Sequence, residues 1–109
     1  MNRFFYLLLL FSYSLFAQVD YETQIQTIFN SNCTSCHING GAYYGGLDLS
    51  SYDTLMAGSN NGPVIVPGDH ANSLLWQKVN SGEMPPTGNL SQNEIDLIFQ
   101  WINEGAQNN

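Results

Sequence analysis

The chain has 109 residues, enough for one domain. Two basic residues stand against nine carboxylates, a net charge of −7, which excludes a nucleic-acid binder because such proteins present basic surfaces. With two cysteines, at most one disulfide is available to a small core.

Residues 1–17 read as a secretory signal peptide. Arg3 gives a positive start, an apolar run follows from Phe4, and Ala17 is a small residue at the expected cut. The run is shorter than the about 20 apolar residues of a membrane span, so the expectation is export with no stable span after cleavage. An uncleaved anchor is the alternative. Removing Arg3 leaves Lys78 as the only Lys or Arg, and the domain of residues 18–109 becomes one charge more negative than the whole chain. An acidic surface of this kind meets a basic patch on a partner at a salt-dependent rate.

Asp20 is placed to cap a helix running to residue 32. Ile25, Ile28 and Phe29 share one of its faces. The helix leads into Cys33-Thr34-Ser35-Cys36-His37. Two thiols at this spacing can add to the two vinyl groups of a haem, and the adjacent imidazole then reaches the iron, so C-x-x-C-H reads as a c-type haem attachment site. A bare disulfide or dithiol is the competing reading. Zinc lacks a second ligand pair at comparable spacing. The glycine-rich residues 39–46 have no Lys, Ser or Thr of a phosphate-binding loop and suit a tight path around a haem edge. Tyr43 or Tyr44 there can reach a haem propionate.

Leu47 and Leu49 fall on one side of a short extended piece. Ser50 or Ser51 then caps a helix through Met56 and Ala57, with Gly58 as its stop. Met56 reads as core filler. Pro63 and Pro67 bracket an apolar segment, after which Asp69 or Asn72 caps a helix over residues 73–79. Trp76 lies off that helix's apolar stripe, placed to cover either a haem edge or the core. Residues 81–89 form a loop holding Met84, stiffened by Pro85 and Pro86. Met84 lies 47 residues beyond His37, far enough along the chain to supply a thioether to the opposite face of the iron. His70, beside Asp69, is the competing ligand. Ser91 and Glu94 form a capping box that opens the last helix, with Ile95, Ile98, Phe99 and Ile102 on one face, Trp101 nearby, and Gly105 closing it.

With these segments in order, the sequence resembles class I cytochromes c, and among them the planctomycete-type cytochrome c domains. The resemblance runs over residues 28–106. It is carried by the attachment motif, Gly46-Leu47-Asp48-Leu49, Val66-Pro67-Gly68-Asp69, Ser73-Leu74-Leu75, Met84-Pro85-Pro86 and Trp101-Ile102-Asn103-Glu104-Gly105-Ala106. It implies an all-α fold of three to five helices around one covalent haem c, whose terminal helices cross near a haem edge. It further implies thioether bonds at Cys33 and Cys36, His37 as proximal iron ligand and Met84 as distal ligand. Pro63 or Pro67 would support the His37 imidazole through a carbonyl. The expected function is a periplasmic or otherwise exported carrier of single electrons between redox proteins, and not an enzyme. The alternative is a haem-based gas sensor with a labile distal ligand.

Overall fold

The structure is a computed structural model and describes residues 18–33, 45–85 and 88–109. Those residues form helices and connecting loops. The only β-type pairing among them is an isolated bridge between Ser59 and Gly62. The all-α expectation holds for this part of the chain. The attachment loop after Cys33 and residues 1–17 lie outside it.

The first helix begins where Asp20 accepts hydrogen bonds from the Thr23 N–H and hydroxyl, at 3.0 and 2.6 Å. These bonds favour the ionised form and hold the Asp20 carboxyl below its ordinary pKa. The opening turn, Tyr21–Ile25, is wound as a π-helix and runs directly into α1, Gln26–Asn32. Tyr21, Ile25, Ile28 and Phe29 face inward, matching the predicted stripe. Gln26 is buried among them with its amide satisfied. Its Oε1 accepts from Tyr21 Oη at 2.6 Å, and its Nε2 donates to Leu49 O at 2.9 Å. Burial pushes the Tyr21 phenol far above its usual range, which keeps it a neutral donor in that bond. One buried amide thus ties α1 to the Leu49 segment.

Helix α2, Tyr52–Ala57, is capped by Ser51 and ends at Gly58. A 3-10 turn, His70–Asn72, precedes α3, Leu74–Asn80. Here the boundary differs from the sequence reading. Asp69 caps the 3-10 turn through the Asn72 N–H, and α3 starts only after Ser73. Ser73 is fully buried, and its hydroxyl is consumed elsewhere: it accepts from Val66 N at 2.9 Å and donates to Asp69 O at 2.9 Å.

Helix α4, Gln92–Asn103, has the predicted capping box, with Glu94 N to Ser91 Oγ at 3.2 Å and Ser91 N to Glu94 Oε1 at 2.9 Å. Its buried face is Ile95, Ile98, Trp101 and Ile102. Phe99, expected on that face, is 39 % exposed, and Trp101 takes the inner place. The cause is the opposing surface. Tyr21 packs tilted and Tyr52 edge-on against Trp101, with ring centroids 5.3 and 6.5 Å away, and Trp101 Nε1 donates to Gln107 O at 2.9 Å. A large ring with a satisfied polar edge fits that slot.

The two ends of the described chain are laced together. Val19 N donates to Glu104 Oε1 at 2.9 Å, and the Asn109 side chain bridges Tyr21 N and Val19 O at 3.1 and 3.0 Å. The first and last helices therefore meet, with Asn32 Nδ2 also 3.4 Å from Glu94 Oε2.

Candidate haem-binding site

Cys33 follows α1 directly. Its N–H donates to Phe29 O at 2.7 Å, and its side chain is buried with the core residues. The helix thus leads straight into the first cysteine of the motif, which lies among the buried residues. Cys36, His37, Tyr43 and Tyr44 lie outside the described residues.

Met84 is half-buried on the segment between α3 and α4. Its N–H donates to Lys78 O at 3.1 Å, so the backbone of the last turn of α3 holds the methionine in place. Gly82 makes the bend between them at φ +79°, a conformation that glycine adopts without strain. A Cβ at this position would lie 2.8 Å from Asn89 Oδ1. Pro85 is buried, and the Met84–Pro85 peptide is cis. Across this bend Lys78 Nζ reaches Glu83 Oε2 at 2.6 Å, with both side chains largely exposed. Met84 therefore sits on a loop defined by main-chain bonds, with proline at its far side.

His70 is engaged elsewhere. Its Nδ1 lies 3.1 Å from Asn103 Oδ1, and its ring packs 4.1 Å from Phe99 and 4.7 Å from Trp76. Asp69 next to it is held below its ordinary pKa, chiefly by the hydrogen bond from the Asn72 side chain. Met56 packs against the core, as expected of a filler. Pro63 and Pro67 are both exposed, and neither is singled out as the support for His37.

Of the expected haem-binding residues, Cys33 and Met84 lie among those described, and their side-chain chemistry suits a haem. A thioether on a fixed loop is a soft iron ligand, and Cys33 is buried at the end of a helix that leads into the attachment motif. Trp76 adds an observation that sequence reasoning left undecided. Its Nε1 is buried and finds no hydrogen-bond acceptor among the described residues. Buried donors are rarely left this way in a finished core, so a further polar group is called for beside this ring.

A helical domain carrying a C-x-x-C-H attachment motif is what the class of small c-type cytochromes presents. Residues 33–88 match the family described as planctomycete cytochrome C, and the chain belongs to that family. The match opens on Cys33 and closes just past Met84, so it contains both halves of the candidate site. Membership in a cytochrome c family implies covalent haem c with iron. No curated protein and no solved structure matches the chain.

Proposed function

We propose that the protein is an exported monohaem cytochrome c that carries single electrons between redox partners. In this reading Cys33 and Cys36 hold the haem by thioether bonds, His37 is the proximal iron ligand and Met84 the distal one. Bound haem supplies a one-electron iron couple. The observation that carries the reading is the pinned Met84 loop, within the same family match as the attachment motif.

The chain's own residues account for the rest. His37 would supply an imidazole nitrogen to the iron. The Met84 thioether, being soft and weakly basic, favours the ferrous state and raises the reduction potential. Two protein ligands leave no coordination position for a substrate, which suits a carrier and argues against an enzyme. Residues 1–17 direct export. No helix among the described residues is long and apolar enough to cross a membrane. The nine carboxylates favour a partner with a basic docking patch.

The test is the optical spectrum of the haem-loaded protein in both oxidation states. Low-spin bands, a far-red charge-transfer band in the ferric form, and no carbon monoxide adduct in the ferrous form are expected. Met84→Ala should abolish the far-red band and admit carbon monoxide. A high-spin wild-type spectrum with ready carbon monoxide binding would replace the carrier with the gas-sensor reading. Absence of covalent haem would return the cysteines to a dithiol or disulfide.

A further inference from the structure

Removal of residues 1–17 would make Gln18 the first residue of the exported chain. Just behind it the chain is held from several sides. Val19 is buried, and its N–H donates to Glu104 Oε1 at 2.9 Å. The Asn109 side chain accepts from Tyr21 N at 3.1 Å and donates to Val19 O at 3.0 Å. The main chain is therefore clasped from Val19 onward, and Gln18 stands exposed outside the clasp.

The Gln18 side chain is held far less firmly. Its Nε2 lies 3.5 Å from Oε1 of the exposed Gln107, longer than an ordinary N–H···O hydrogen bond. The side-chain amides of Gln26, Gln77, Gln92 and Gln100 donate at 2.9, 2.6, 2.9 and 2.9 Å. A glutamine at a chain start carries an amine and a carboxamide at the spacing that closes an unstrained lactam. Asparagine, one methylene shorter, would need a strained, smaller ring. Every other glutamine has its nitrogen committed to a peptide bond, so position 18 alone has this chemistry.

We propose that Gln18 is a modification site at which the mature chain closes its own N-terminus as pyroglutamate. The α-amine attacks Cδ of the side chain, a C–N bond closes the ring, and the carboxamide nitrogen leaves as ammonia. The amine gives up one proton and the leaving group takes it, so no further reagent is consumed. The inference rests on the export reading above. The ring retains the peptide to Val19, so the clasp by Glu104 and Asn109 is undisturbed. A neutral lactam replaces the terminal ammonium. Lys78 is the only Lys or Arg among residues 18–109 and already pairs with Glu83, so closure removes the chain's other amine cation. The more acidic surface suits a basic partner, and an exported end without a free amine resists trimming at a terminus, where proteolysis concentrates.

The experiment uses the full chain, produced with its leader in a host that exports it and attaches haem c. The holoprotein is incubated at neutral pH, its free amines are labelled in solution, and its terminal peptide is weighed by mass spectrometry. Lys78, the only lysine, is the internal control for labelling. Wild type is expected to begin at residue 18, to weigh one ammonia less than the unmodified peptide, and to carry label on Lys78 alone. Gln18→Asn should keep its full peptide mass and carry label on its terminus as well. A wild-type chain that begins at Gln18 with a labelled terminus overturns the modification and leaves the export reading standing. A cut at another position likewise overturns the modification alone. A chain that still carries residues 1–17 overturns both, and the terminal mass tells these failures apart.

Discussion

Gly58 closes α2 at φ 85° and ψ −158°, a region that side chains rarely tolerate. An added Cβ would lie 2.5 Å from Gly62 O and 2.7 Å from Pro63 Cα, and both are backbone atoms that no rotamer change can move aside. Gly45 provides the comparison, with φ +72° and no atom within 4 Å of an added Cβ. Gly45→Ala should therefore cost only the conformational penalty of a left-handed residue, about 1 kcal/mol. Gly58→Ala adds a steric term of the kind seen on overpacking, about 1–3 kcal/mol, to a backbone strain of about 1–3 kcal/mol. A total near 4 kcal/mol is a large part of the 5–15 kcal/mol typical of a whole domain, by order of magnitude. Urea denaturation of the haem-loaded variants, followed by far-ultraviolet circular dichroism, measures the difference. If the two alanines destabilise equally, to within about 0.5 kcal/mol, the collision argument fails and the α2 terminus is softer than its geometry implies.

Three further outcomes are expected. Because its folded pKa is lowered, Asp20 contributes stability that is present above its unfolded pKa and lost as pH falls through the folded value. Asp20→Asn, which keeps an acceptor for the cap but does not titrate, should flatten the acid limb of a stability–pH profile; an unaltered limb would deny the carboxylate that role. Ile98 is fully buried on α4, and Ile98→Ala should destabilise by about 3 kcal/mol in the same denaturation assay. Lys78→Met removes an exposed ion pair but leaves the Met84 N–H to Lys78 O bond intact. It should cost less than about 1 kcal/mol and leave the far-red band in place, whereas loss of the band would make the ion pair the true anchor of the loop.

What the sequence determined by itself is the set of features whose partners lie within one turn of each other. Asp20 with Thr23, Ser51 with Thr54, and Ser91 with Glu94 each cap across three residues, so a short window contains donor and acceptor together. The stretches that carry the family resemblance, the attachment motif and Met84-Pro85-Pro86, are likewise written in contiguous residues. The boundary at Ser73 was not legible, because its hydroxyl bonds back to Val66, seven residues away in a different segment. Nor was the choice between Phe99 and Trp101. Both flank the Ile95, Ile98 and Ile102 stripe, and helical periodicity treats them nearly alike. Tyr21 and Tyr52, brought in from two other helices, formed a slot that only the indole fills, with Gln107 O waiting for its N–H. Phe99 was left to the surface against His70, and that placement in turn fixed His70 on Trp76. Local hydrogen bonds can be read from spacing, but which of two aromatic rings is buried depends on what the rest of the chain packs against it.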